Sequence, residues 1–160
     1  MHSLFQYNWQ VRDEWLTWCE DLPEAELLLE RTGGVKGILA TFVHIIDVEY
    51  SWLAALSGRN ADEFTVFEYN SLNKVKALTE SVKQEVDEKV TAELAKDLHE
   101  KIKVPWAEET FTRGEIINHC ITHEIHHIGQ LSVWAREIGI APVNPNFIGR
   151  ELFKKKLSKS

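Results

Sequence analysis

Histidine spacing is the first sign of chemistry in this 160-residue chain, which contains seven histidines. Four of them, His119, His123, His126 and His127, fall in one short segment. With about 3.6 residues per helical turn, a spacing of four places His119, His123 and His127 along one helix face. Two imidazoles one turn apart have Cβ atoms about 5–6 Å apart and can chelate one ion. We therefore predict that His123 and His127 are metal ligands.

A third ligand must come from another helix, and His44 is the only histidine in the second long helical segment. Mostly small residues share its face and leave room for a cavity: Gly37, Ala40, Thr41, Val48, Ser51 and Ala55. Bulkier residues suited to core packing occupy the opposite face: Ile38, Phe42, Ile45, Trp52 and Leu56. Three neutral imidazoles suit a divalent transition metal and leave coordination positions open for water or substrate. We expect zinc or nickel first, with cobalt, iron or manganese as further options.

The alternative is that these histidines are polar side chains with single hydrogen bonds. Burial of several imidazoles on an apolar helix is unfavourable unless a partner satisfies their nitrogens, which a metal ion does. His126 is rotated by about 100° from His127, so we expect it to face solvent, a subunit contact or a supporting partner. His119 lies one turn too far along to be a ligand and is expected to support the site or the fold.

Four neighbouring residues have further predicted roles. Asp47, one turn after His44, is predicted to orient an imidazole. Gln130, one turn after the last histidine, is a candidate catalytic residue that would hydrogen-bond a metal-bound water. Cys120 is a ligand, a reactive thiol or a buried structural cysteine, and the last is the default. Trp134 is either a core side chain or a roof over the pocket.

Residues 123–127 read His-Glu-Ile-His-His, which matches the His-Glu-x-x-His signature of zinc peptidases. In that hypothesis Glu124 is the general base acting on a zinc-bound water. Such peptidases also need a substrate-binding sheet before the helix and a third ligand after it. No residue after His127 qualifies as that ligand, so this alternative ranks below a ligand set shared by two helices.

Apolar periodicity predicts the elements that position these residues. It indicates long helices over residues 4–20, 35–56, 71–98 and 112–138, and a short helical segment over 24–30. Thr112 and Glu115 fit a capping box at the start of the last helix, and Gly139 fits its end. Pro105 excludes a continuous helix over 99–111, where we expect a short extended crossover. Four amphipathic helices predict an all-α four-helix bundle, with one domain over residues 1–160.

Composition narrows the functional classes. With 44% hydrophobic and 27% charged residues, the chain has the composition of a globular protein. Its net charge of -7 argues against nucleic-acid binding, since the only dense basic cluster is a tail expected to be solvated: Lys154, Lys155, Lys156 and Lys159. The N-terminus has no signal-peptide pattern, and no uninterrupted apolar run of about 18 residues predicts a membrane span. Two cysteines are too few for a disulfide framework, so we expect a cytoplasmic protein.

Several motifs together resemble the DinB-like family. They are Tyr7-Asn8-Trp9, Thr41-Phe42-Val43-His44-Ile45, Glu49-Tyr50-Ser51-Trp52-Leu53 with Gly58, and residues 119–127 with Gly129-Gln130. The resemblance covers most of the chain and implies a four-helix bundle, a homodimer, and a metal bound by His44, His123 and His127. Many members have Arg after the last ligand, where this chain has Ile128. An anion-binding role of that arginine is therefore not expected here.

The resemblance also implies a function. Some relatives look like metal-dependent transferases that join a low-molecular-weight thiol to a small electrophile, and others look like metal-dependent hydrolases. We expect a metalloenzyme of one of these types, acting in stress or detoxification. The alternative is a non-catalytic, metal-binding stress-response protein, which a fourth protein ligand would favour. The family name suggests DNA repair, but the acidic charge does not support contact with DNA.

Overall fold

Four long helices form the body of the protein in the computed structural model, which describes residues 1–153. The helices are α1 (His2–Trp18), the short α2 (Glu24–Leu28), α3 (Ile38–Ala55), α4 (Leu72–Leu94) and α5 (Arg113–Ile138). Helices α1 and α3 each contact both α4 and α5, so the four long helices close a ring around a common core. The predicted all-α four-helix bundle is confirmed. The lysine-rich tail predicted to be solvated lies outside the described residues.

Large apolar side chains from α1, α3 and α5 meet in this core. Phe5, Trp15, Phe42, Ile45 and Leu131 are all at most 1% exposed. Burial of a side chain of this size contributes about 1.5–3 kcal/mol relative to leaving it in water. Because α3 and α5 pack directly on each other, their facing residues are held at a fixed separation.

The start and end of α5 follow the predicted signals. The Glu115 backbone N–H donates to the Thr112 hydroxyl over 3.2 Å, and the Thr112 N–H donates to the Glu115 carboxylate over 2.6 Å. This capping box satisfies donors that the first helical turn leaves free. At the other end Gly139 adopts φ +84°, a left-handed conformation that ends the helix. The two caps fix the length of α5, the helix that carries His119, His123 and His127 along one face.

Helix α3 begins later than predicted, at Ile38 instead of residue 35. Lys36 has φ +68° and Gly37 is fully extended, so neither residue has helical backbone angles. Helix α1 also shifts, because it begins at His2 and ends at Trp18, and a 3₁₀ turn follows over Cys19–Asp21.

Helix α4 ends at Leu94, earlier than the predicted residue 98. The Asp97 carboxylate accepts a hydrogen bond from the His99 backbone N–H over 2.9 Å. The Leu98 carbonyl accepts another from the Gly114 N–H over 2.9 Å. Because the Asp97 carboxylate binds the backbone two residues further on and the Leu98 carbonyl binds the first turn of α5, the chain leaves the helix here.

The predicted extended crossover is a β-hairpin. Strands β1 (Lys101–Lys103) and β2 (Thr110–Thr112) pair antiparallel, with Ile102 opposite Phe111. The Val104-Pro105-Trp106 segment lies in the connection, where proline does not remove a ladder hydrogen bond. The hairpin leads directly into α5 and positions Phe111 near the start of that helix.

Helix α3 is long and apolar enough to cross a membrane by length and composition alone. However, 61% of that span is buried within the protein. It also contains His44, Asp47 and Glu49, which all contact other parts of the bundle. These are the properties of a core helix in a bundle.

Candidate metal centre

Three imidazoles from α3 and α5 meet at one point between the two helices. His123 Nε2 lies 3.1 Å from His44 Nε2 and 3.1 Å from His127 Nε2. The three ligand atoms all lie within 4.8 Å of one another. His127 is buried and the other two rings are half-buried. The structure thus brings together the three residues that the sequence predicts as ligands, which we call the three-histidine group.

The geometry of this group fits a single transition-metal ion. Metal–imidazole bonds of about 2.0–2.1 Å place two nitrogens on a common ion about 3 Å apart, close to the observed 3.1 Å separations. Three nitrogens converging in a half-buried position also need a cation or several donors to satisfy their lone pairs. The donor set is entirely imidazole, which suits Zn, Ni, Co, Cu or Fe(II) and not magnesium or calcium.

The electrostatics of the group favour neutral, metal-binding imidazoles. Burial, followed by the neighbouring His127 and His44 rings, lowers the pKa of His123 to about 3. Burial, followed by the nearby His127, also lowers the pKa of His44. Both rings are therefore uncharged at neutral pH, with a lone pair available for coordination.

Gln130 orients His127. Its Oε1 lies 2.8 Å from His127 Nδ1, and its Nε2 lies 3.2 Å from His126 Nε2. When Nδ1 carries the proton and donates a hydrogen bond to Gln130, His127 Nε2 is unprotonated. Its lone pair then faces the other two imidazoles. The contact that the structure gives Gln130 is with two histidines, and its predicted binding of a metal-bound water stays a prediction. His126 is exposed and contacts this amide, which is the supporting position that was one of its three predicted roles.

A glycine loop packs on the same amide. Gly34 has φ +53°, and a Cβ built on it would collide with the Gln130 side-chain oxygen. Trp134, the predicted roof or core residue, is 3% exposed and donates from its indole nitrogen to the Thr32 carbonyl over 3.2 Å. Trp134 is thus a core side chain that fixes the loop beside Gln130.

His119 lies next to the three-histidine group but is not part of it. Its ring centroid is 5.4 Å from that of His123 and 5.1 Å from that of Trp52. Burial lowers the pKa of His119. The expected supporting position is thus observed, against an aromatic neighbour.

Asp47 does not orient an imidazole, contrary to the prediction. Its carboxylate accepts a hydrogen bond from the Phe64 backbone N–H over 2.8 Å. It therefore fixes the loop between α3 and α4 instead of a ring of the three-histidine group. Burial raises the pKa of Asp47, and the hydrogen bond from Phe64 opposes that rise.

Cys120 is a buried cysteine without a partner cysteine, as the default interpretation predicted. It is 3% exposed and lies in the hydrophobic core. Burial raises the pKa of its thiol well above the ordinary value. A neutral, inaccessible thiol is a poor nucleophile and a poor ligand.

Glu124 is not available as a general base. Arg12 donates to both of its carboxylate oxygens, from Nε over 2.8 Å and from Nη2 over 2.6 Å. The same Nη2 donates to Glu49 over 3.0 Å, and Glu49 also accepts from the Trp9 indole over 2.9 Å. The three charged residues Arg12, Glu49 and Glu124, which we call the Arg12 cluster, are at most 3% exposed. The peptidase hypothesis therefore lacks its catalytic residue.

The Arg12 cluster connects the two helices that carry the three-histidine group. Glu49 belongs to α3 and Glu124 to α5, so Arg12 of α1 ties both ligand-bearing helices to a third. Burial acts to raise the pKa of Glu124, while Arg12 acts to lower it. Burial likewise acts to lower the pKa of Arg12, but the two carboxylates outweigh it and raise that pKa.

The sequence contains a signal for this cluster in α1. Asn8, Arg12 and Trp15 follow one another at helical spacing, so an arginine occupies a core-facing position of α1. A charged residue on a buried face requires a buried partner. The spacing alone does not say which of the many glutamates that partner is.

Three comparisons with known proteins agree with this structure. A model of the DinB family matches residues 1–153. The uncharacterized protein YizA of Bacillus subtilis (strain 168) is 49% identical over 153 residues, which are 95% of this chain and 96% of YizA. A DinB-like protein from Bacillus cereus ATCC 10987 has a similar fold, with a TM-score of 0.69 and 18% identity over 88% of this chain and 91% of that one. The chain belongs to the DinB family.

Proposed function

We propose that His44, His123 and His127 bind one divalent transition-metal ion, zinc or nickel in first place, and that the protein is a metal-dependent enzyme. The preferred reaction is transfer of a low-molecular-weight thiol to a small electrophile, and hydrolysis is the second choice. The observation that carries the proposal is the convergence of three imidazole nitrogens within 4.8 Å between two helices.

Incomplete coordination by the protein supports an enzyme over a purely structural site. Within residues 1–153, only these three residues form a His, Cys, Asp or Glu group able to hold a metal ion. Asp47 binds the backbone of a loop and Cys120 lies in the core, so neither supplies a fourth ligand. Structural zinc sites are usually closed by four protein ligands, whereas catalytic sites keep a position open.

The surroundings of the group favour thiol transfer over hydrolysis. Bound there, a divalent ion would lower the pKa of a thiol and so supply a thiolate at neutral pH. Hydrolysis benefits from a general base that takes a proton from water. Asp47 and Glu124 are the carboxylates nearest in sequence to the three histidines. Asp47 is bound by a loop backbone N–H and Glu124 by Arg12. The chain's own contribution is to hold neutral imidazoles in place and to orient His127 through Gln130.

The test is thiol consumption by the metal-loaded protein. With cysteine or glutathione as the thiol and 1-chloro-2,4-dinitrobenzene as the electrophile, we expect metal-dependent formation of the thioether. Chelation and His123→Ala should each abolish it, whereas His99→Ala, which changes an exposed histidine, should not. Metal binding without thiol-dependent turnover across a panel of electrophiles would favour the non-catalytic alternative. Turnover that survives exhaustive metal removal would contradict the mechanism.

A further inference from the structure

An aromatic cavity lies beside the three-histidine group. It has a volume of about 460 Å³ and is lined by Trp52, Phe111, Glu115, Ile116 and His119. The lining comes from α3, from the end of the hairpin and from the first turns of α5. Ligand cavities of about 300–1,000 Å³ with mainly apolar linings are typical of small-molecule sites.

Trp52 is the centre of the aromatic contacts around this cavity. Its ring centroid lies 5.1 Å from His119, 5.2 Å from Trp106 and 5.8 Å from Phe111, all in edge-type orientations. Trp106 nevertheless remains 46% exposed. Rings held by such contacts form a rigid, apolar surface that a planar group can cover at little entropic cost.

The cavity offers a ligand one charged side chain, and that charge is negative. Glu115 is its one ionisable residue apart from His119, and its carboxylate binds the Thr112 backbone N–H and hydroxyl in the capping box. An anionic ligand would lose hydration here and be repelled by this carboxylate. The aromatic and apolar remainder of the lining therefore favours a neutral, apolar group over an anion.

The cavity also adjoins the metal centre. His119 lines it on one side, and the centroid of the His119 ring lies 5.4 Å from that of the ligand His123. A small molecule seated against Trp52 would thus have one end near the three-histidine group. One ring, His119, thus lines the cavity and also contacts a member of the three-histidine group.

We propose that this cavity binds the ring of a neutral aromatic electrophile, with Trp52 as its packing surface and His119 on the side of the metal centre. The inference rests on the proposed function and names the electrophile class for it. With 4-nitrobenzyl chloride, the thiol sulfur forms a bond to the benzylic carbon, the carbon–chlorine bond breaks, and chloride leaves with the bonding pair. The thiol proton passes to solvent.

Binding is tested apart from reaction with 4-nitrobenzyl alcohol, which has the ring but no leaving group. Titrated into the full-length, ¹⁵N-labelled, zinc-loaded protein, it should shift the Trp52 indole N–H signal. Trp52→Leu should weaken binding by about tenfold or more, because it removes ring packing and apolar contact area. Phe67→Leu, which changes a side chain that is 87% exposed elsewhere, should leave the affinity unchanged. If Trp52→Leu fails to fold by circular dichroism, Phe111→Leu makes the same test.

The outcomes separate this inference from the proposed function. Wild-type affinity in the folded cavity variants, or shifts confined to residues outside the cavity, would overturn the inference. Thiol-dependent turnover of iodoacetamide, a small non-aromatic electrophile, without any binding of the nitrobenzyl probe would also overturn it, while leaving the proposed function intact. Binding of the probe at Trp52 without turnover of 4-nitrobenzyl chloride would support the cavity and contradict the thiol-transfer function.

Discussion

Removal of Arg12 should destabilise the protein strongly, because it leaves two buried carboxylates without their cation. Arg12 makes three charged hydrogen bonds, two to Glu124 and one to Glu49. The side chains of both partners are at most 4% exposed. Breaking a buried ion pair by deleting one partner costs about 3–5 kcal/mol. We expect a loss in that range for Arg12→Met, which keeps most of the side-chain volume.

The assay is urea denaturation followed by circular dichroism, with thermal unfolding as a second measurement. In a domain of this size, about 1 kcal/mol corresponds to about 2–4 °C in Tm, so Tm should fall by roughly 6–20 °C. Burial raises the pKa of Glu124 while Arg12 opposes the rise, so the pKa rises further without Arg12. A group whose pKa is raised in the folded state loses its contribution to stability as the pH rises through that pKa. The stability deficit of the variant should therefore grow from about pH 4 upwards.

Two controls make this prediction decisive. Arg59 pairs with Glu85 at the surface, where both side chains are about half exposed. Arg59→Met should therefore cost no more than about 1 kcal/mol. Neutralising the carboxylates in the triple variant Arg12→Met, Glu49→Gln, Glu124→Gln should restore part of the lost stability. Equal losses of stability in Arg12→Met and Arg59→Met would contradict this prediction, as would a triple variant no more stable than Arg12→Met alone.

The remaining predictions concern the imidazoles and the loop beside them. Gln130→Ala should lower metal affinity by about 10–100-fold, measured by competition with a chromophoric chelator, because His127 loses the hydrogen bond that orients it; unchanged affinity would show that the contact has no such role. Gly34→Ala should also weaken metal binding by displacing the Gln130 amide, whereas Gly33→Ala, with a similar positive φ and open space around it, should not; equal effects would point to backbone strain alone. In the metal-free protein, the pKa of His123 is about 3 when folded and about 6.5 when unfolded. The unfolded chain therefore takes up the proton first, stability falls as the pH drops from about 6.5 towards 3, and His123→Ala should show a smaller decline in urea denaturation; two parallel pH profiles would count against this.

Features encoded by local spacing could be predicted from the sequence. The four-residue step between His123 and His127 fixes a shared face, and Thr112 with Glu115 specifies where α5 begins. His44 required a different kind of argument, since its position depends on how α3 packs against α5. The mostly small residues on its face and the family resemblance together supplied that information.

The partners of polar side chains could not be predicted in the same way. Asp47 binds the backbone of a loop seventeen residues away along the chain, and Glu124 binds an arginine of the first helix. Such contacts depend on loop paths and helix rotation, which periodicity does not describe. Gln130 shows the same limit, because its spacing correctly placed it beside His127 but did not reveal which atom its amide contacts.

Metal stoichiometry decides whether the three histidines form a metal site, measured by elemental analysis and calorimetric titration of purified protein with Zn²⁺. We expect one ion per chain in the wild type and in His99→Ala. We expect loss of that ion in His44→Ala, because this substitution removes the ligand contributed by α3. One tightly bound ion in His44→Ala, with wild-type affinity, would contradict the three-histidine site.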